Sequence, residues 1–151
     1  MTRGLVIGLG SSAQGDDAVG LLVARRLRDL TPPDTEIREH EGDPTALLAL
    51  WEGYAPVVVI DAMRSGAPPG TVRRFEAHST PLPATLEWGL STHGIGLAEA
   101  IELARALGKL PPRLLVYGIE GRCFAPGADP TPEVAQAIPR AVESIRRDLR
   151  A

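Results

Sequence analysis

The sequence predicts an α/β protein, a three-layer α/β/α sandwich on a mostly parallel, twisted sheet of about five strands with helices on both faces. Three observations predict it. Apolar runs and amphipathic stretches alternate along the chain, the order that builds βαβ units. Pro56-Val57-Val58-Val59-Ile60 is a β-branched run, as expected of a parallel strand buried on both faces. Leu5 to Gly10 runs from an apolar strand into a glycine-rich turn, and Val19, Leu22, Val23, Ala24 and Leu27 then recur at helical spacing.

Taken in order, the first strand is expected over residues 4–8 and the first helix over 17–30. Thr31-Pro32-Pro33-Asp34 ends that helix, since proline cannot continue it. Thr35–His40 reads as a weakly apolar strand near an edge. Asp43 is a fair N-cap with Pro44 at the first helical position, ahead of a helix carrying Leu47, Leu48, Leu50 and Trp51. The central strand, 56–60, ends at Asp61. A turn-rich loop leads to the alternating stretch 71–76, a half-exposed and antiparallel strand. Residues 77–90 read as one long, proline-broken loop. Ser91 or Thr92 is expected to cap a helix with Leu97, Ala100, Ile101, Ala104 and Leu107. Arg113–Ile119 is another apolar strand, ending near Glu120. Val134, Ile138, Val142, Ile145 and Leu149 mark a final amphipathic helix.

The 151 residues, 44% of them apolar, suit a single domain, 1–151, around one core. A net charge of −3 gives no bulk attraction to nucleic acid or to an anionic membrane. Cys123 is the lone cysteine, so no internal disulfide forms, which fits a reducing compartment. The sequence shows no signal-peptide pattern and no apolar run of membrane-spanning length. The expectation is a cytoplasmic monomer with no nucleic-acid or membrane partner.

Asp16-Asp17 stands where the first loop becomes the first helix. One carboxylate satisfies an N-cap, and the second is then left to point into the loop cavity. Asp61 ends the central strand, and His93 lies among glycines before a helix. The carboxyl ends of parallel strands converge on one crevice, so these residues can meet there. Two carboxylates and an imidazole form a mixed oxygen and nitrogen set suited to zinc or nickel. Each also has a structural reading: Asp61 bonding backbone N–H groups, His93 as a surface or capping residue. His40 and His78 have no comparable surroundings. A serine triad through Ser11 or Ser91 lacks a G-x-S-x-G elbow. Gly8, Gly10 and Ala13 fit a loose G-x-G-x-x-G/A fingerprint, with Glu39 and Glu41 at ribose distance, so a nucleotide or small-molecule binding module is the alternative. Asp16 and Asp17 argue against it, since they would repel a diphosphate at that helix N-terminus.

These segments together resemble the hydrogenase maturation proteases. The family's opening G-x-G-N…D-D/E-x-x-G appears as Gly8-Leu9-Gly10-Ser11…Asp16-Asp17-Ala18-Val19-Gly20. Its strand-end Asp followed by P-G-T/S appears as Asp61…Pro69-Gly70-Thr71. Its S-x-H segment is Ser91-Thr92-His93, and its late strand end is Gly118-Ile119-Glu120. The resemblance covers most of the chain and implies an endopeptidase. Its substrate would be the [NiFe]-hydrogenase large-subunit precursor, trimmed of a C-terminal extension once nickel has been inserted. Asp17, Asp61 and His93 would be the metal-contacting and catalytic residues. Gly10, Ser11, Asp16 and Gly94 would meet the substrate. Nickel would arrive in the precursor; zinc or another divalent ion held by the protein itself is the rival occupant. Two departures stand out: Ser11 replaces the usual Asn, and the first-loop acid is Asp17 where some members carry the longer Glu.

Overall fold

The computed structural model describes residues 3–89 and 95–150. Its strands are β1 (Gly4–Leu9), β2 (Thr35–His40), β3 (Val57–Arg64), β4 (Val72–Glu76), β5 (Glu87–Trp88) and β6 (Leu114–Glu120). Its α-helices are α1 (Val19–Arg28), α2 (Leu47–Leu50), α3 (Leu97–Ala106) and α4 (Pro132–Arg150). One sheet runs in the order β2-β1-β3-β6-β4, with β5 added to β3. The four long central pairings are parallel except β4 on β6, which is antiparallel as the alternating sequence predicts. Among the described residues no helix is long and apolar enough to cross a membrane.

The two-residue period of the strands sorts their side chains into two cores. Leu5, Ile7, Val57, Val59, Leu114 and Val116 pack with Leu47, Trp51, Leu97 and Ile101 under α2 and α3. Val6, Val58, Ile60, Leu115, Tyr117 and Ile119 pack with Val23, Leu27, Val134 and Ile138 under α1 and α4. This is the three-layer sandwich. Helix α1 lies very close to the sheet, because Gly8 and Gly20 face each other. A side chain on Gly8 would strike the Gly20 carbonyl, and one on Gly20 would strike the carbonyls of Leu9 and Ile60.

The structure revises four boundaries. The sheet has six strands, because the expected loop 77–90 contains β5, only two residues long and too short to show a period. β3 continues to Arg64, since β6 pairs with it as far as Met63. Asp61 is therefore inside a strand and not at its end. β1, however, pairs with β3 only up to Ile60, so Asp61 is the first residue of β3 past its β1 neighbour. Residues 15–18 form a 3₁₀ turn, and α1 begins at Val19. α3 begins at Leu97 with Gly96 as N-cap, whose N–H reaches the Glu99 carboxylate at 3.4 Å. Ser91 and Thr92, the expected caps, lie outside the described residues.

Candidate active site

The site grows from the β1–α1 connection. Gly10 leaves β1 at φ 155° with its Cα against the Asp17 carbonyl, where a side chain would collide. Gly15, at φ 60°, turns the chain into the 3₁₀ segment. There the two adjacent carboxylates part. Asp16 is fully buried and faces the loop before α4. Its Oδ2 accepts the N–H groups of Arg122 and Cys123 at 2.7 and 2.9 Å. Its Oδ1 accepts the Thr131 N–H at 2.7 Å, and the Thr131 hydroxyl donates to both oxygens. Asp16 thus holds a loop in place and does not line the cleft expected to receive substrate. Asp17, also buried, does line it.

Asp61 follows from strand register. It alternates with Val59 and Met63 on the face covered by α3, at a level where β1 no longer runs alongside. Its Oδ1 accepts the Ala62 N–H at 2.9 Å. Across from it stands Gly89, at φ 57°, whose N–H donates to the Ala62 carbonyl at 2.8 Å. A Cβ on Gly89 would lie 3.2 Å from Asp17 Oδ1 and 3.2 and 3.3 Å from the two Asp61 oxygens. Two carboxylates 44 positions apart in the sequence therefore converge on one point of main chain. They line a cleft of about 420 Å³ together with Gly10, Ser11, Gly96 and Leu97. Asp43 and Pro44 also line it, and no Lys or Arg lines it among the described residues.

Burial, and then the charge of Asp17, push the Asp61 carboxyl well above the usual carboxylate range; the Ala62 N–H offsets this only in part. A divalent cation between these oxygens would offset both the burial and the mutual repulsion of the two carboxylates, so the donor set fits a hard or borderline ion. Two carboxylates alone do not make a complete site. Among the described residues no group of three His, Cys, Asp or Glu side chains could hold a metal. The third expected ligand, His93, lies outside the described residues, as does Gly94.

The loop that resembles a dinucleotide fingerprint is already satisfied by the protein itself. The N–H groups of Gly10, Ser11, Gly15, Asp16 and Asp17 donate to backbone carbonyls. Ser12 donates its N–H to Glu41 at 2.8 Å and its hydroxyl at 3.1 Å. Glu39 is paired with Arg25 and Arg28. A diphosphate would find its cradle taken and its ribose acid engaged. Gly89 and Trp88 line the cleft without having stood out in the sequence. Their only signal there is a place directly before residues 90–94.

Residues 40–148 match the model of the HycI family, described as hydrogenase maturation protease. This chain belongs to the hydrogenase maturation protease family. A hydrogenase maturation protease is a hydrolase. The chain is 28% identical to the hydrogenase 2 maturation protease of Escherichia coli strain K12, over 98% of this chain and 91% of that one. The hydrogenase maturating endopeptidase HybD from E. coli shares the fold at a TM-score of 0.81 and 25% identity, over 99% of this chain and 93% of that one. The [NiFe]-hydrogenase maturation protease HycI from Thermococcus kodakarensis KOD1 does so at 0.76 and 26%, over 99% and 94%.

Proposed function

We propose that this protein is an endopeptidase that removes a C-terminal extension from a [NiFe]-hydrogenase large-subunit precursor and recognises the nickel already inserted there. The observation that carries this reading is the convergence of the Asp17 and Asp61 carboxylates on Gly89, in an open cleft without a Lys or Arg in its lining among the described residues. Such a pair repels itself and attracts a cation. Asp17, Asp61 and His93 hold the precursor's nickel in this reading, and Gly10, Ser11 and Gly94 lie along the substrate chain. An ion held by these residues would supply Lewis-acid polarisation of the scissile carbonyl or of water.

The acid pair also supplies a check on loading. Without a cation, burial and the Asp17 charge keep Asp61 inclined to hold a proton. With the precursor's nickel in place, Asp61 gives up that proton and the substrate is anchored. An unloaded precursor gains neither the anchor nor the polarising charge.

The test is incubation of the purified protein with nickel-loaded and nickel-free precursor from the same organism, followed by intact mass. Loss of a C-terminal segment from the loaded precursor alone is the expected result. Cleavage of both removes the nickel check, and cleavage of neither overturns the proposal. Asp17→Ala, Asp61→Ala and His93→Ala should each abolish processing while the protein stays folded by circular dichroism.

A further inference from the structure

We propose that Arg64 is a positioning residue for this site, holding the Gly89 main chain against the Asp17–Asp61 pair; its kinetic consequence rests on the proteolytic reading above. Arg64 is the last residue of β3 and pairs in register with Glu87 of β5. Its Nη2 donates to the Gly89 carbonyl at 2.9 Å. Its guanidinium carbon lies 5.5 Å from the centre of the Phe124 ring. Phe124 in turn packs over Gly121, beside Asp16, where a side chain would collide with the ring. One guanidinium thus joins the Gly89 turn to the loop that Asp16 anchors, the two segments that flank the carboxylates.

The arginine makes these contacts with a side chain that is 40% exposed. Its Nε is closed off from solvent and has no hydrogen-bond partner among the described residues. Its ion pair with Glu87, 3.3 Å long, involves a carboxylate whose side chain is 69% exposed, and such pairs contribute little. Gly89 meanwhile needs holding. It sits in the left-handed region at φ 57°, with its N–H on Ala62 and its carbonyl on Arg64. Release of that carbonyl frees the peptide plane to rotate, and the Cα then leaves the point on which both carboxylates converge.

The experiment compares Arg64→Ala, Arg64→Lys and Glu87→Gln with the wild type. It reads precursor-processing kinetics, melting temperature and hydrogen exchange of the Gly89 amide. Arg64→Ala should lower kcat about tenfold or more with KM within about twofold, since small misplacements of reacting groups are expensive. The Gly89 amide should exchange about tenfold faster in that variant while core amides of β3 stay protected. Arg64→Lys, which keeps a donor, should recover much of kcat, and Glu87→Gln should behave as wild type. A wild-type kcat in Arg64→Ala, or unchanged Gly89 exchange, overturns the proposal. So does a kcat loss that follows a lost melting temperature and is not rescued by lysine, which would make the residue merely structural. If the wild type cleaves no precursor, the proteolytic reading fails, and the exchange result alone decides whether Arg64 holds Gly89.

Discussion

Asp16 and Asp17 are neighbours with opposite fates. A buried carboxylate that accepts several N–H and O–H groups is a structural element, and Asp16 is one. The cleft-facing residues carry a different burden. The folded protein raises the affinity of Asp61 for its proton above that of the unfolded chain. The stability this group contributes is therefore complete below the unfolded carboxylate range and is lost as pH rises toward the folded value. Asp61→Asn removes the penalty. Its melting temperature should equal that of the wild type in acid and exceed it at neutral pH, while precursor processing is abolished. Calorimetry at two pH values, set beside the processing assay, checks both halves. A lower melting temperature at neutral pH would count against this account.

At the level of elements, the approach of α1 to the sheet sets where Asp17 stands. Gly20→Ala would drive a methyl group into the carbonyls of Leu9 and Ile60, backbone atoms that cannot yield. A loss of roughly 3 kcal/mol follows, at the upper end of overpacking effects, and urea unfolding would report it. The other end of the molecule depends on α4. Asp148 near its C-terminus receives two hydrogen bonds from Arg74 of β4, at 2.9 and 3.0 Å, and one from the Tyr117 hydroxyl of β6. Burial alone would raise the Asp148 carboxyl, but the bonds from Arg74 and Tyr117 and the charges of Arg74 and Arg113 hold it below its ordinary value. Tyr117, buried and bonded to that anion, is pushed up to about 12. The sign is opposite to that of Asp61: this stability is present above the unfolded carboxylate range and is lost as pH falls through the folded value. Asp148→Asn should cost about 1–2 kcal/mol at neutral pH, discounted for the partly exposed arginines, with the difference from wild type shrinking in acid.

On the scale of the whole molecule, the cleft opens past the carboxyl end of β1, where Asp17 and the Asp61 carboxylate of the longer β3 come together. If nickel is brought by the precursor, the isolated protein should carry only substoichiometric metal by elemental analysis. Added Ni²⁺ should still raise its melting temperature, because an ion that binds only the folded state at about a hundred times its Kd contributes about 2.7 kcal/mol. The rise should vanish in Asp17→Asn and Asp61→Asn. Tight, stoichiometric metal in the purified protein would favour a resident ion instead.

Much of this was legible in the sequence because it is local. Strand and helix periods, the Thr31–Asp34 stop, the Asp43-Pro44 cap and the β-branched core strand each follow from side-chain spacing and turn chemistry, and they suffice for the α/β/α layering. The placing of Asp17 and Asp61 after parallel strands pointed to one crevice for a different reason, since the carboxyl ends of such strands converge. What the tertiary structure decided are matters between distant segments. Whether Asp16 or Asp17 faces the cleft depends on N–H donors at 122, 123 and 131. Where β3 ends depends on how far β6 pairs with it. That Gly89 meets both carboxylates depends on β5, two residues long, pairing with β3. No period in the chain encodes these, because a hydrogen-bond partner from elsewhere in the sequence leaves no mark on the spacing of the residues it holds.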